Sequence, residues 1–460
     1  DGELGLTEQN QKDEQTGEDE QHGKDGGGGA GPKRGLAEIA ECIGAEAVQA
    51  VGLVLEATAR EEAGDVMGAM KLYGTSYRLW PALDSGFDEG GLPRGVVEEA
   101  KALGLNIEQD VQPALATDPC PRFALNDTDH WLSHLDDHGF VVIAGVASAQ
   151  HCEEGKALLW DFLEGVPGTK VSRSDVDSWG GAQGNDWFPQ RGNGLTGGSG
   201  FGHSEYAWHM RCLPGVSHAF GAIWGDDDVI ASFDGGNVFR PWRHRPERRT
   251  EGGWWHLDQN YFTEGKDKRV SVQGFVTLTD ATAATGGLCV IPGSHLHHRE
   301  VCERAFAQDH DRDFVPVQAS DPILHSGRAC LVCAQAGDLV LWDSRTVHCN
   351  TPGIPLGEDH EDAAMTREER SEPEAEAEEE EAELLRVVAY VSMCPAAWAS
   401  PEVLARRKEA FVKRVDTNHW SYQSPPLPPQ STSQCREPQN WSDASDSQRA
   451  LVVGRTSPLR

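Results

Sequence analysis

The sequence lacks the features of several protein classes. It has no apolar run near the roughly 18 residues that a membrane-spanning helix needs. It has 40 basic against 74 acidic residues, and the part of the net charge of -34 that lies outside two acidic segments, -15, argues only weakly against a nucleic-acid partner. Its eleven cysteines include no pair of CxxC motifs, which favours a reducing compartment over a disulfide framework. We therefore expect a cytoplasmic protein, although a chain that starts at Asp1 leaves organelle targeting open.

The negative charge is concentrated in two segments. Residues 1–25 and 357–383 carry net charges of -7 and -12. Runs of like charge are usually solvated and disordered. We therefore predict a disordered acidic, Gly-rich segment over residues 1–34 and a looped-out acidic insertion over residues 357–383.

Residues 35–84 show helical periodicity. In "AGDVMGAMKLYGTSYRLWP", Gly64, Ala69 and Tyr73 have the spacing of the second helix of a tetratricopeptide unit, and a microtubule-interacting-and-trafficking hairpin would look similar. A single copy cannot form a solenoid, which needs about three repeats. We predict a small helical hairpin, which either packs on its neighbour or docks a protein partner, followed by a linker over residues 85–124.

The character of the sequence changes to β beyond Arg211. Short β-branched runs such as "RVSVQGFVTLTD" and "LLRVVAYVSMCP" lie between Gly, Pro and Asp turns. Many short strands joined by turns indicate a sandwich or jelly-roll barrel rather than a βαβ fold. We predict a mostly β domain with flanking α-helices over residues 125–420 and a Pro/Ser-rich tail over residues 421–460.

Three His-x-Asp pairs occur in the chain, and such a pair can hold one metal ion on a strand. Side chains at i and i+2 share a face of a strand, whereas on a helix they diverge by roughly 200°. Apolar residues repeat at helical spacing around His134 and Asp136, so we predict a helix without a metal there. His360 and Asp362 lie in the acidic insertion without apolar neighbours, so we expect no ordered site there either.

The third pair is His256 and Asp258 in "GGWWHLDQN", a strand-like aromatic setting that would exclude water. A further candidate ligand, His348, ends the apolar stretch "GDLVLWDSRTVH", 90 residues beyond Asp258. Two histidines and one carboxylate form the facial triad of non-haem Fe(II) oxygenases, which leaves positions open for O₂ and a co-substrate. Zinc is the rival metal, although it more often takes closed tetrahedral sites or a third histidine.

Several stretches combine into a family pattern. "DDHGFVVIAGV", "WWHLDQN", "VQGFVTLTD", "GGLCVIPGSHLHH", "GDLVLWDSRTVHCNTP" and "RVVAYVSMCP" span roughly residues 125–420. In this pattern the sequence resembles the phytanoyl-CoA dioxygenase family of Fe(II)/2-oxoglutarate oxygenases. The resemblance implies a cupin-like double-stranded β-helix, which agrees with the jelly-roll prediction. It also implies Fe(II) as the metal of the triad, with 2-oxoglutarate and O₂ as co-substrates.

The resemblance further implies which residues hold 2-oxoglutarate. The family has an arginine after the distal histidine that binds the far carboxylate, a role that suits the planar and permanently charged guanidinium. Here the acidic insertion occupies the usual position of this arginine. We choose Arg386, which starts the strand beyond the insertion, over Arg367 and Arg370 within it. Further candidates for contact with 2-oxoglutarate are Asn350 and Gln273.

The activity that the resemblance implies is hydroxylation of a small organic or acyl substrate, with release of succinate and CO₂. Asp258 favours hydroxylation, because related halogenases lack the carboxylate ligand so that chloride can bind. Two alternatives stay open: a hydroxylase of a protein or nucleic acid, and a catalytically silent β-helix scaffold acting through the N-terminal hairpin. The candidates for substrate contact are Trp208, Trp242, Trp255 and Arg243.

Overall fold

The protein forms two compact units in a computed structural model, Asp1–Gln109 and Asp110–Arg460. The structure describes residues 40, 44–62, 66–84, 95–96, 99, 115–180, 192–243, 245, 248–309, 312–318, 320–326, 329–353, 383–423 and 438–460. The predicted acidic segments over 1–34 and 357–383, and with them His360, Asp362, Arg367 and Arg370, lie outside the described residues.

The first unit contains a helical hairpin. Its helices are α1 (Ala45–Glu62) and α2 (Val66–Leu79), followed by a 3-10 turn at Pro81–Asp84. The core between them is built from small side chains, since Ala47 and Ala50 pack against Trp80. Alanine favours helix formation and lets two backbones approach closely. The hairpin therefore has a thin core, and Leu55 and Met67 stay exposed.

The second unit is built on thirteen β-strands within the described residues. They are, in chain order, β1 (Arg122–Ala124), β2 (Phe140–Ala144), β3 (Leu195–Thr196), β4 (Val229–Ala231), β5 (Gly236–Phe239), β6 (His256–Leu257), β7 (Val272–Thr277), β8 (Gly286–Val290), β9 (Val315–Pro316), β10 (Cys330–Leu331), β11 (Leu339–Asp343), β12 (His348–Pro352) and β13 (Arg386–Pro395).

These strands form two sheets. The larger sheet has the order β1-β2-β11-β7-β13-β5-β3, with β4 paired to the end of β13, and the smaller has the order β10-β8-β12-β6-β9. All pairs between these strands are antiparallel except that of β1 with β2. The mostly antiparallel pairing agrees with the sandwich that the strand pattern predicts.

The two sheets pack face to face. Phe275 and Trp342 of the larger sheet contact Leu288 and Val290 of the smaller sheet in one apolar cluster. Alternate residues of each strand point into this interior because the side-chain period of a strand is two. The alternation on β13 therefore sends Arg386, Val388 and Tyr390 to the interior and the residues between them to the outer face.

Helices cover the outer faces of the sheets. The helices of the second unit are α3 (Thr128–His138), α4 (Ala149–Glu164), α5 (Glu205–Arg211), α6 (Pro214–Trp224), α7 (His298–Arg304), α8 (Pro401–Lys413) and α9 (Asp446–Val453). Leu159 and Phe162 of α4 pack with Val276 and Val391 on the outer face of the larger sheet. Within the described part of the chain, no helix has the length and apolarity to cross a membrane.

The ends of the β unit differ from the predicted range of 125–420. At the front, β1 begins at Arg122, and Ala116 already forms a bridge with Cys330. At the back, α9 lies inside the predicted Pro/Ser-rich tail and buries Val452 and Val453. Composition hid this helix, because polar and proline-rich sequence surrounds its short apolar face. The buried Arg407 of α8 donates to the Val452 carbonyl at 2.8 Å and so fixes α9 to the unit.

The pair His134 and Asp136 lies on α3, as predicted. Gly139 ends this helix with φ 78°, where a side chain would collide with Thr346 at 2.4 Å. Asp136 bonds Arg269 at 2.6 Å, and Arg269 also bonds the buried Asp343 at 2.6 Å. The carboxylate of this pair therefore has a structural partner.

Asp343 anchors the turn before β12, and we expect it to be a main stabilising charge. It accepts hydrogen bonds from Arg269 and Arg345 and is fully buried. Burial raises the pKa of Asp343, but the two guanidinium groups outweigh burial and bring the pKa to about 2.

We predict that Asp343→Asn lowers the free energy of unfolding by about 3 kcal/mol at pH 7, because it leaves two cations without their buried partner. Denaturant unfolding measures this difference.

The pH dependence and a matched variant check this prediction. A carboxyl group with a depressed pKa contributes stability above its unfolded value of about 3.9, and this contribution is lost as the pH falls toward 2. The difference between wild type and Asp343→Asn should therefore shrink over that window. Asp136→Asn removes an exposed ion pair and should cost less than about 1 kcal/mol. Equal losses in the two variants would contradict the proposed role of Asp343.

Candidate metal centre

Three metal-ligating side chains meet at one end of the sandwich interior. The antiparallel pairing of β6 with β12 sets His256 opposite His348. Asp258 follows β6 directly, and its backbone N–H donates to the Ser344 carbonyl at 3.0 Å. One ligand atom from each of the three side chains lies within 4.8 Å of the others, and within the described residues no other such group forms.

The carboxylate of Asp258 lies between the two imidazoles. Its oxygens are 3.5 Å from His256 Nε2 and 3.2 Å from His348 Nε2. The centroids of the two rings are 4.2 Å apart. Nε2 of both rings and both carboxylate oxygens therefore converge on one point, as a shared metal ion requires.

Backbone carbonyls orient both imidazole rings. His256 Nδ1 lies 3.0 Å from the Trp254 carbonyl, and His348 Nδ1 lies 2.9 Å from the Thr346 carbonyl. A carbonyl can only accept, so Nδ1 carries the proton and Nε2 keeps its lone pair. This arrangement of a histidine ligand and a carbonyl behind it is typical of metal sites.

The protonation states of the ligands also suit a cation. Burial raises the pKa of Asp258, but the neighbouring His256 and His348 outweigh burial and hold the pKa well below its usual range. Burial and the neighbouring His256 lower the pKa of His348, although Asp258 opposes this change. The site therefore holds an ionised carboxylate and a neutral imidazole, which are the forms that bind metals.

Gln273 supports the carboxylate ligand. Its side-chain amide on β7 donates to Asp258 Oδ2 at 2.8 Å and to Ser344 Oγ at 3.2 Å, and Ser344 Oγ in turn donates to Ser271 Oγ at 2.8 Å. A chain of hydrogen bonds therefore holds Asp258 in place from the larger sheet.

Arg386 lies in the same sandwich interior. It is 1% exposed, and its guanidinium lies 5.1 Å from the centroids of both Phe239 and Phe275. Nη1 donates to Asn237 Oδ1, whereas Nε and Nη2 have no hydrogen-bond partner among the described residues. A buried cation with unpaired donors is costly unless an anion pairs with it. Two of its N–H groups are thus placed to bind a carboxylate.

Tyr390 completes the polar surround of Arg386. It lies four residues further on the same face of β13. Burial raises the pKa of Tyr390, and Arg386 and Asn350 lower it in part, so the phenol lies close to both groups. The sequence contained a signal for this residue, because a spacing of four on a strand returns to the same face.

Aromatic rings enclose His256 on both sides. Trp254 stacks on it with ring centroids 4.9 Å apart, and Phe314 stacks on the other side at 4.7 Å. Phe314 is 48% exposed and therefore forms the rim of the site. The sequence analysis missed Phe314, because it lies in an irregular segment 56 residues after Asp258.

His419 lies near the metal ligands from the C-terminal side. Burial lowers the pKa of His419, and the carboxylates of Asp258 and Asp234 raise it in part. Its Nε2 is buried without a hydrogen-bond partner among the described residues. Lys266 lies in the same neighbourhood, 3.5 Å from the ring centroid of Trp420. No sequence motif marks His419, because only the fold returns this segment to the site.

Part of the chain matches the sequence model of a known protein family. The family model of phytanoyl-CoA dioxygenase (PhyH) matches residues 135–351, which include all three ligands. The chain is thus similar to the phytanoyl-CoA dioxygenase family over 217 of its 460 residues. The resemblance that the sequence motifs indicated is thereby confirmed.

Other comparisons give more distant likenesses. The Ava biosynthesis cluster protein O of Aspergillus versicolor is 30% identical over 167 residues, which are 32% of this chain and 50% of that protein. The chain thus matches half of the length of this curated relative. GlcNAc Inducible Gene 2 of Candida albicans is 14% identical with a TM-score of 0.45, over 72% of this chain and 79% of that chain. EctD of S. alaskensis, solved with 2-oxoglutarate and 5-hydroxyectoine, is 14% identical with a TM-score of 0.34, over 58% and 76%.

The fold brings the predicted co-substrate residues into one sandwich interior. Arg386 and Asn350 are both buried and both lie close to Tyr390. Gln273 also points into the interior, where it bonds Asp258. The family resemblance, together with strand alternation, indicated these three residues, and the sandwich brings them together from three strands.

The predicted substrate residues lie apart from one another. Trp208 packs against Phe233 and Phe411 in the cluster of the outer face. Trp255 is buried on the outer face of the smaller sheet, because it neighbours His256 and points the opposite way. Among residues of the loop after β5, Trp242 lies under the guanidinium of Arg249 at 5.2 Å and Arg243 is exposed. Trp254, rather than Trp255, contacts the metal-binding histidine.

We predict that Asp258→Ala abolishes specific metal binding. Loss of a hydrogen-bond partner of a ligand costs about 10–100-fold in metal affinity, and loss of the ligand itself should exceed about 100-fold. Isothermal titration calorimetry with Co(II), an oxygen-stable probe, measures the affinity.

Asp136→Ala is the matched control for this measurement. It removes the carboxylate of the His-x-Asp pair on α3 and should leave Co(II) affinity unchanged. The site assignment is wrong if both variants bind Co(II) as tightly as the wild type does.

Proposed function

We propose that the protein is an Fe(II)/2-oxoglutarate-dependent dioxygenase that hydroxylates a small organic or acyl substrate, with release of succinate and CO₂. The observation that carries the proposal is the pairing of a two-histidine, one-carboxylate site with Arg386, a buried cation that has unpaired donors, in one sandwich interior. The match of the phytanoyl-CoA dioxygenase family model to residues 135–351 supports it. The sandwich would then be a double-stranded β-helix, as the family implies.

The ligand set fits Fe(II) as the metal. His256, Asp258 and His348 supply three ligand groups, and such a triad leaves positions open for co-substrate and O₂. The bound Fe(II), with 2-oxoglutarate and O₂, would supply the oxidising chemistry at a substrate C–H bond. The presence of the Asp258 carboxylate favours hydroxylation over halogenation.

Arg386 would bind the far carboxylate of 2-oxoglutarate. Burial lowers the pKa of Arg386, yet an arginine with a reference pKa above 12 stays charged at neutral pH. Its planar guanidinium can hold a carboxylate through Nε and Nη2 while Asn237 holds Nη1. Asn350 and Tyr390 would provide further polar contacts beside it.

The mouth of the site would receive the substrate. Phe314 and Trp254 present aromatic surface beside His256, and the unpaired Nε2 of His419 offers one polar contact. An apolar wall excludes water and orients the bond that reacts. Of the residues proposed from the sequence, Trp208 and Trp255 are buried in the outer-face clusters and would not contact substrate. Trp242 and Arg243 would contact only parts of a substrate that extend beyond this mouth.

Two other functions are compatible with the same fold. A hydroxylase of a protein or nucleic acid would need an open groove, and a scaffold protein would act through the hairpin α1–α2. A silent scaffold would gain nothing from the unpaired buried donors of Arg386, which cost stability when no anion binds. This cost favours the enzyme.

We predict that Arg386→Met weakens 2-oxoglutarate binding. Loss of one partner of a buried charge pair costs about 2–5 kcal/mol, so the Kd should rise by more than about 30-fold. Co(II) affinity should stay unchanged, because Arg386 does not bind the metal. Anaerobic calorimetric titration of the Co(II)-loaded protein with 2-oxoglutarate measures the Kd, and succinate release from the Fe(II)-loaded protein in air follows turnover.

Arg367→Met and Arg370→Met are the matched controls, because these arginines are the sequence alternatives. Both variants should bind 2-oxoglutarate as the wild type does. A loss confined to either control would move the role away from Arg386. Failure of the wild-type protein to bind 2-oxoglutarate would remove the oxygenase proposal.

Gln273 was a sequence candidate for 2-oxoglutarate contact, and we propose instead that it positions Asp258. We predict that Gln273→Met lowers Co(II) affinity by about 10–100-fold, because Asp258 loses its amide donor. At saturating Co(II), the Kd of 2-oxoglutarate should change little. The reverse result, a normal Co(II) affinity with weakened 2-oxoglutarate binding, would restore the direct contact.

A further inference from the structure

A group of cysteines lies on the smaller sheet, away from the metal centre. Cys330-Leu331-Val332-Cys333 is a CxxC motif that begins on β10, the edge strand of this sheet. Cys120 lies on the segment that runs beside β10. Neither the metal site nor the proposed co-substrate site uses these three thiols.

Backbone pairing holds the segment of Cys120 against β10. Ala116 bridges Cys330, with the Ala116 N–H donating to the Ala329 carbonyl at 3.0 Å and the Leu331 N–H donating to the Ala116 carbonyl at 2.9 Å. The position of Cys120 beside the CxxC motif is therefore set by main-chain hydrogen bonds rather than by the thiols alone.

The thiols complete the contact between the two segments. Cys120 Sγ lies 3.6 Å from the Leu331 carbonyl, and Cys333 Sγ lies 3.7 Å from the Thr117 carbonyl. Cys333 packs against the outer-face cluster of the smaller sheet, whereas the Cys120 and Cys330 side chains are neighbours on its interior face. Both are partly exposed and pack on the edge of the interior cluster, so a small oxidant can reach them.

The two thiols are chemically unequal. The neighbouring Cys330 thiol lowers the pKa of Cys120, with help from the Cys333 backbone N–H and against the effect of burial. The neighbouring Cys120 thiol and burial raise the pKa of Cys330. The lowered pKa and the partial exposure of Cys120 favour it as the nucleophile of the pair, since thiolate character and access govern cysteine reactivity.

A second cysteine pair on the same sheet provides an internal comparison. Cys289 and Cys349 are cross-strand neighbours on β8 and β12 and are 0% and 2% exposed. Burial raises the pKa of Cys289 well above its usual range. These thiols are near each other but are buried from oxidants, so we expect them to stay reduced.

We propose that Cys120 and Cys330 form a reversible disulfide when the protein meets a peroxide. The Cys120 thiolate attacks one peroxide oxygen, the O–O bond breaks, and a sulfenic acid and water result. The Cys330 sulfur then attacks the Cys120 sulfur, the S–S bond forms, the S–O bond breaks, and a second water leaves. Two thiols lose two electrons and two protons, and hydrogen peroxide is reduced to two water molecules.

The disulfide would join the N-terminal segment of the β unit covalently to its edge strand. It would close a loop of about 210 residues, and closure of a long loop stabilises the folded state relative to the unfolded chain. The oxidised protein should therefore melt at a higher temperature than the reduced protein. This modification is independent of the proposed oxygenase activity.

Disulfide mapping of the full-length protein tests the proposal. The reduced protein is treated with one equivalent of hydrogen peroxide, alkylated with iodoacetamide and digested without reductant for mass spectrometry. We expect the Cys120–Cys330 cross-linked peptide in about 10-fold excess over any other pair, because Cys120 is the activated and accessible thiol. Dithiothreitol should abolish the cross-link and the rise in melting temperature. Free, alkylated Cys120, or a dominant Cys120–Cys333 or Cys289–Cys349 cross-link, would overturn the proposal.

Variants separate the two thiols. Cys330→Ser should leave Cys120 as a sulfenic acid that dimedone labels, whereas Cys120→Ser should show neither label nor cross-link. Cys212→Ser, which removes a partly exposed cysteine outside the group, should form the Cys120–Cys330 cross-link as the wild type does. Equal dimedone labelling at Cys212 and Cys120 in the Cys330→Ser protein would contradict a selective site.

Discussion

The pairing of the short strand β6 with β12 is the constraint on which the site depends. This pairing sets His256 opposite His348 and directs both imidazoles to the interior face of the smaller sheet. A shift of one residue in this register would turn one imidazole to the outer face and destroy the site. The surrounding structure fixes the register from both sides, through the pairing of β12 with β8 and the hydrogen bond from Asp258 to the Ser344 carbonyl.

One part of the sandwich interior is apolar, and the neighbouring part holds a buried charge. Phe275, Val290 and Val388 fill it with hydrocarbon, yet Arg386 lies beside them with unpaired donors. Buried charges are tolerated when a partner neutralises them, and Asn237 satisfies only one of the nitrogens. The interior thus combines three potential metal ligands with unpaired Arg386 donors that an anion would satisfy.

The two described His-x-Asp pairs show how context decides the use of a motif. His134 and Asp136 lie on a helix, where the two side chains diverge, and Asp136 pairs with Arg269. His256 and Asp258 lie at a strand and converge with a third ligand. The two pairs are nonetheless connected, because Arg269 also bonds Asp343 at the turn before His348. Asp136 of the first pair therefore helps to stabilise the scaffold, and His256 and Asp258 form part of the site that the scaffold positions.

The sequence by itself determined the strands of the core, the helix of the first His-x-Asp pair and the three metal ligands, because side-chain periodicity is a local property. It also indicated Arg386, since strand alternation and the family pattern agree on that residue. Only the tertiary structure decided that Gln273 bonds Asp258, that Phe314 and His419 reach the site, and that α9 packs on the β unit. These contacts join residues far apart in sequence, and their geometry follows from strand order and register, which periodicity does not encode.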